Sequence, residues 1–311
     1  MIQVSQSRSG GDGLDDLLVI LMESGEAIVY QGTDFATDFE MIGSFKIGKP
    51  VSIRGSTQLG SDRVVITEDG YINISTALSK ARLNDAGNFG EKIVREVKKE
   101  VAANRDKYGW EVKFLPSQAL LIINVPKIAD SRYRQHVMNT NTGAWSYFDE
   151  WKSITYCEHD NKVYFGTPDD EIREAFTGTS DNGENIEIKW VPAFNNFEMP
   201  TIQKQATFCT VVTDFYAPSY IQAHGQSNFN LVASPDLRNP IDNEGSLWDV
   251  SDWDDFVWAA SGTVENTGVK AYSIPIGALG YAITVKIRLT NFSQSPKFYS
   301  LKLKYKQART I

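Results

Sequence analysis

The chain has little cysteine, little histidine, no excess of positive charge and no long apolar run. Its two cysteines in 311 residues, Cys157 and Cys209, are too few for a disulfide framework. Their separation is not that of a metal knuckle, and they read as reduced structural thiols. The three histidines, His136, His159 and His224, form no HExxH and stand away from both cysteines, which predicts structural or exposed roles. The longest apolar runs, such as LLVILM at 17–22, are strand-sized, far short of the ~20 residues of a membrane helix. The opening MIQVSQSRSGG holds no apolar signal core, which predicts a chain not exported by the general route. Basic residues number 31 against 39 acidic, a net charge of -8. That balance argues against tight binding through nucleic-acid phosphates, though not against lining a passage for DNA.

Catalytic signatures are missing as well. SGGDG at 9–13 lacks the Gly-Lys-Ser/Thr of a phosphate loop, and Gly48-Lys49 runs into Pro50. SDNGENIE does not place calcium ligands, and Ser117 and Ser246 lack a nucleophile elbow. The carboxylate groups Asp12, Asp15 and Asp16, Asp169 and Asp170, and Asp254 and Asp255 sit in turn-like sequence, where acidic side chains bond their own backbone. No catalytic, cofactor-binding or metal-ligating residue is assigned, and the chain is not read as an enzyme.

What the sequence does have is strands. Thirteen tyrosines and sixteen phenylalanines favour sheet over helical bundle. Apolar–turn–apolar hairpins fold at Ser24-Gly25, Asp69-Gly70 and Asp160-Asn161. The last interval is twice the first, so a further hairpin is expected between them, and WEVKFLPSQALLIINVP supplies it at Pro116-Ser117. Four hairpins thus recur at steps of 45, 47 and 44 residues, the length of a β-propeller blade. Lys162 to Phe176 then reads as the end of a fourth copy, leading into a crossover. Trp145, Tyr147, Trp151 and Tyr164 read as blade core, wedged between neighbouring sheets. One helix interrupts the pattern at 88–109, where Ile93, Val97 and Val101 share a face and Glu96, Lys99 and Glu100 point elsewhere. Its narrow stripe predicts a rim position.

The fold expected is therefore all-β: propeller-like repeats over 1–180 with that helix inserted, then a β-sandwich-like domain over 181–311. In the second part Ile283, Val285, Ile287 and Leu289 share one strand face. An acidic tryptophan loop at 242–258 carries Glu244, Trp248, Asp249, Trp253, Asp254 and Asp255. Lys302, Lys304, Lys306 and Arg309 make the final segment basic. Tryptophan ringed by carboxylates suits an interface core, and the basic segment is a complementary surface, within one chain or between identical neighbours.

Five segments in order carry a resemblance: GEAIVYQGTDFATDFEMIGSFKIGKP (25–50), VVITEDGYINIS (64–75), LLIINVP (120–126), HVMNTNTGAWSYFDEWKSITYCEHDNKVYFGTPDDEIREA (136–175) and SLWDVSDWDDFVW (246–258). Over roughly 17–258 the chain resembles the tail nozzle, or tail-hub, proteins of short-tailed bacteriophages. The resemblance implies a structural virion protein, assembled in the bacterial cytoplasm, in which a propeller packs beside β-rich platform domains. It implies six identical subunits ringing the DNA-ejection channel, with portal and adaptor proteins above and needle, spike or fiber proteins below. DNA is cargo, and no cofactor and no membrane span are expected. Family members carry more β-structure before the equivalent of Gly25 than the 24 residues present here, so a C-terminal portion of a longer protein is the expectation. The alternative is a propeller with a sandwich that binds carbohydrate or a host surface, stacking sugars on Trp248, Trp253 and Trp258.

Overall fold

The computed structural model describes residues 2–8, 16–32, 36–79, 89–126, 133–214, 220–231, 269–290 and 297–308. The chain divides into two compact units, Met1–Phe176 and Thr177–Ile311. It is predominantly β, built from small antiparallel sheets.

Four sheets follow one another along the first unit. The first runs β1 (Ile2–Arg8), β2 (Asp16–Met22), β3 (Glu26–Gln31) and β4 (Glu40–Lys46). The second holds β5 (Ser56–Leu59), β6 (Asp62–Thr67) and β7 (Gly70–Asn73), followed by the short helix α1 (Ile74–Ser79). A 3-10 turn at Glu91–Ile93 then leads into α2 (Val94–Asn104). The third sheet has β8 (Glu111–Leu115), β9 (Leu120–Val125), β10 (Arg134–Asn139) and β11 (Ala144–Asp149). The fourth has β12 (Thr155–His159), β13 (Lys162–Gly166) and β14 (Ile172–Ala175). In each sheet the strands lie side by side in chain order.

All four expected hairpins form, for local reasons. Gly25 closes the first turn at φ +84°, its N–H donating to the Met22 carbonyl. Asp160 and Asn161 both take left-handed backbone, the two-residue turn whose twist matches the flanking strands. Their places in the sheets differ, however. The hairpin joins the second and third strands of the first two sheets, but the first and second strands of the last two. Equal spacing of turns is therefore not equal spacing of sheets. Residues 162–176 also differ from expectation: β14 folds straight back onto β13, and no crossover begins there. β1, pairing with β2, was not read from sequence.

Between successive sheets lie separate apolar cores. Val19, Leu21, Ala27 and Val29 of the first sheet meet Val65 and Ile72 of the second. Val64, Ile66 and Tyr71, on the second sheet's other side, meet Val112, Leu121 and Ile123 of the third. Ile122 and Val137 of the third meet Tyr156, Val163 and Phe165 of the fourth. The two middle sheets are thus buried on both faces, which is why β9 reads LLIINV with no polar alternation.

α2 caps the second of these cores. Of the expected face Val97 and Val101 are buried, while Ile93 is only partly buried in the preceding turn; Val94, Glu100 and Asn104 are buried too, so the buried face is wider than the apolar stripe. Trp110, 1% exposed, fills the same core and donates from its indole nitrogen to the Asn104 carbonyl at 3.0 Å, closing the helix end.

The four aromatics read as blade core separate. Trp145 is partly buried, stacked on Tyr71 with centroids 5.7 Å apart. Trp151 is partly buried, edge-on to Phe165 at 4.9 Å. Tyr147 is not core: it is 55% exposed, and the Arg134 guanidinium lies 4.7 Å from its ring centre. Tyr164 is half-buried, facing away from its buried neighbours Val163 and Phe165 because successive strand residues face opposite ways.

The second unit begins with the small ribbon β15 (Ser180–Asp181) and β16 (Glu184–Asn185). Then come β17 (Ile188–Trp190), β18 (Lys204–Asp214), β19 (Tyr220–Ser227), β20 (Val269–Gly280), β21 (Ile283–Thr290) and β22 (Lys297–Gln307). They make two three-stranded sheets, β17-β21-β19 and β20-β18-β22, with one shared core. Ile283, Val285, Ile287 and Leu289 all lie in it, each at 2% exposure or less. Each such side chain contributes roughly 1.5–3 kcal/mol by leaving water.

The two thiols are free and differ in access: Cys157 is exposed and Cys209 is buried in that core. Burial pushes the Cys209 thiol up to about 11. Native protein treated with iodoacetamide near neutral pH is expected to take one label, at Cys157, and a second only in denaturant. Rapid native labelling of both, read by mass spectrometry, would contradict the buried assignment.

Candidate assembly surface

His136 on β10 stands between Glu100 of α2 and Tyr71 of β7. Its Nδ1 is 2.7 Å from the Tyr71 hydroxyl, and its Nε2 is 2.9 Å from Glu100 Oε2. The second contact meets an ion-pair distance without hydrogen-bond alignment. Arg134 lies 3.6 Å from the other Glu100 oxygen and binds Asp149 through two nitrogens, at 2.7 and 3.2 Å. Burial first, then the Glu100 charge, raise the Tyr71 phenol far above its usual value. The residue types are those of acid–base chemistry, but Tyr71 is 0% exposed, His136 4% and Glu100 6%, which seals them from any substrate. The cluster pins α2 to the sheets. Among the described residues no three His, Cys, Asp or Glu side chains assemble into a metal-binding group.

The basic strand offers a different kind of site. β22 pairs with β18, and its register is set by a bulge: Val212 pairs with Ser300 and Thr213 with Phe298, leaving Tyr299 unpaired. The extra residue changes the phase of the alternation. Phe298 packs on the core, and so do Leu301, Leu303 and Tyr305 beyond the bulge. Lys302, Lys304 and Lys306 therefore emerge together on the outer face, about 6.6 Å apart along the strand. Their neighbours on β18 are Thr210, Phe208 and Gln205, and beyond these on β20 stand Ser273, Pro275 and Leu279.

This outer face thus carries a column of three ammonium groups beside an apolar patch, with Phe208 44% and Leu279 52% exposed. Among the described residues no carboxylate forms an ion pair with any of the three lysines. Solvent screens such a column when it is free. A partner with complementary charge gains association rate and register from it, and burial of the neighbouring apolar side chains adds affinity.

Of the ten interface residues expected from sequence, the structure brings together Lys302, Lys304 and Lys306. Glu244, Trp248, Asp249, Trp253, Asp254, Asp255 and Arg309 lie outside the described residues. Phe208, Pro275 and Leu279 were missed. They stand on other strands, and a second bulge between Ala206 and Phe208 shifts the register of β18. No helix among the described residues is long and apolar enough to cross a membrane. No protein-family model matches the chain, and no curated protein matches it.

Proposed function

We propose that this chain is a structural subunit of a short-tailed phage tail, a nozzle or hub protein that assembles with identical copies, six in number, around the DNA-ejection channel. The observation that carries the reading is the lysine column on the outer face of β22, which meets no carboxylate among the described residues, beside the exposed apolar side chains of β18 and β20, in a chain that also contains an acidic tryptophan loop. One copy can offer each half of a head-to-tail contact, which closes into a ring when the rotation allows. The successive double-faced sheets of the first unit support blades of a propeller, whole or partial, since radial stacking buries both faces of small sheets in this way. The resemblance to phage nozzle proteins supplies the tail itself, with portal and adaptor proteins on one side and needle, spike or fiber proteins on the other. A net charge of -8 suits a channel wall that does not hold passing phosphate.

The test is a charge swap. Lys302→Glu, Lys304→Glu and Lys306→Glu together should reduce self-association at least tenfold by analytical ultracentrifugation. All three are exposed, so the subunit's melting temperature should stay within a few degrees. Mixing this variant with one carrying Asp249→Lys, Asp254→Lys and Asp255→Lys should restore mixed rings in negative-stain images. Normal ring formation by the lysine variant alone would reject this surface as the contact.

A further inference from the structure

Three turns of the second unit meet at a site that the assembly reading does not use. Phe194, Asn195, Asn196 and Pro200, the hairpin tip at Phe229, and Tyr281 with Ala282 line an open cavity of about 430 Å³. That volume is within the usual range of small-ligand sites. Phe229 is 75% exposed and Tyr281 48%, and the Phe229 ring packs on Phe194 with centroids 4.9 Å apart.

The tip is built against local preference. Asn228 and Phe229 are the two central residues of the turn, at φ +53° and +60°, and the Asn230 N–H donates to the Ser227 carbonyl. Asparagine suits left-handed backbone, whereas phenylalanine is an outlier there, at a position that favours glycine. Strained residues of this kind persist where the surroundings fix them, and they cluster at ligand sites. The surroundings do fix this one. The Asn228 N–H donates to the Ala282 carbonyl at 2.8 Å, and Asn228 Oδ1 accepts from the Tyr281 N–H at 2.8 Å. A Cβ on Gly280 would lie 2.7 Å from Asn228 Oδ1 and from Ser227 Cβ, so only glycine allows the two turns to close.

The polar groups are held in place as well. Asn195 Oδ1 accepts from the Phe197 N–H at 2.6 Å, and Asn196 Oδ1 from the Glu198 N–H at 3.1 Å. With both oxygens held by backbone, the amide NH₂ groups of these two exposed lining residues remain to serve a ligand. The lining contains no charged side chain. Aromatic faces that accept weakly polar C–H groups, with fixed neutral donors beside them, fit a ligand having apolar ring faces and a rim of hydroxyl oxygens. A peptide added as a strand would need a free sheet edge to pair its backbone, and this cavity is formed by turns.

We infer that this cavity is a binding site for a neutral saccharide, stacked on Phe229 and Tyr281 and hydrogen-bonded by Asn195 and Asn196. The inference does not depend on ring assembly. The experiment is binding of the full chain to immobilised neutral oligosaccharides of glucose, galactose, mannose and N-acetylglucosamine, with sialylated and sulfated counterparts. Wild type is expected to retain at least one neutral class. Phe229→Gly should reduce that retention at least tenfold and melt no lower than wild type, since glycine suits the left-handed position. Tyr281→Ala, which removes only a half-exposed ring, should reduce retention in the same way and covers the case in which Phe229→Gly perturbs the turn. The proposal is overturned if no neutral glycan is retained at millimolar concentration or only acidic ones are. Retention unchanged in both variants overturns it too, as does use of the cavity by a second copy of the chain, seen as self-association that Phe229→Gly abolishes.

Discussion

His136→Leu is expected to destabilise the first unit by about 3–5 kcal/mol, the usual cost of stripping one partner from a buried charged group. Leucine nearly fills the space of the imidazole, so a cavity contributes little. The loss comes from what stays behind. Among the described residues Glu100 keeps only Arg134, at 3.6 Å, and the Tyr71 hydroxyl loses its 2.7 Å partner, with both residues sealed from water. Removing the carboxylate as well should help: adding Glu100→Leu to His136→Leu ought to recover at least about 1 kcal/mol, because apolar replacement of a whole buried pair is often neutral or better. Urea titrations with amide exchange read at β9 and β10 would give both numbers. If the double substitution is less stable than the single, the two residues are not coupled as their spacing implies.

Trp110→Ala is the second large effect, again about 3–5 kcal/mol. The indole joins the end of α2, the second sheet and β8 at one point, so its loss leaves a void that backbone from three directions cannot collapse to fill. Trp110→Phe separates packing from hydrogen bonding. It keeps most of the buried surface and removes the 3.0 Å bond to the Asn104 carbonyl, for a cost near 1–3 kcal/mol that includes the orphaned acceptor. Thermal unfolding monitored by circular dichroism would order the variants wild type, Phe, Ala. Equal melting temperatures for all three would mean that Trp110 does not bear on the core.

Neither of these two sites was legible in the sequence, whereas other features were. Turn chemistry is local, and so Gly25, Gly70, Pro116 and the Asp160-Asn161 pair could be placed without tertiary information. The strand Ile283–Thr290 was equally plain, because one-sided burial prints a period of two on the side chains. Glu100 was misread for the opposite reason. An amphipathic pattern assigns every charge to solvent, and the residue that makes its burial tolerable, His136, is remote in sequence. β1 alternates weakly, with glutamine and serine where a core strand would carry branched side chains. Tyr147 shows that aromatic character alone does not choose a face: the ring lies outside, under an arginine. The candidate surface was half visible. The lysine spacing is explicit in the sequence, but which side it takes depends on one unpaired residue, and the saccharide cavity depends on three turns that only the fold brings together.

The unpaired Tyr299 has a consequence for how this segment can change over generations. Substitutions along β22 alter one side chain at a time and leave the inside–outside assignment intact. Loss of a single codon at position 299 would leave it intact as well. It would join Phe298, which packs on the core, directly to the exposed Ser300, so that the strand alternates without interruption and keeps Leu301, Leu303 and Tyr305 inside and Lys302, Lys304 and Lys306 outside. Descendants of this chain should therefore tolerate a one-residue difference in length at this point without a compensating insertion, the bulge serving as spare length, whereas a loss within 301–306 would set part of the strand out of phase.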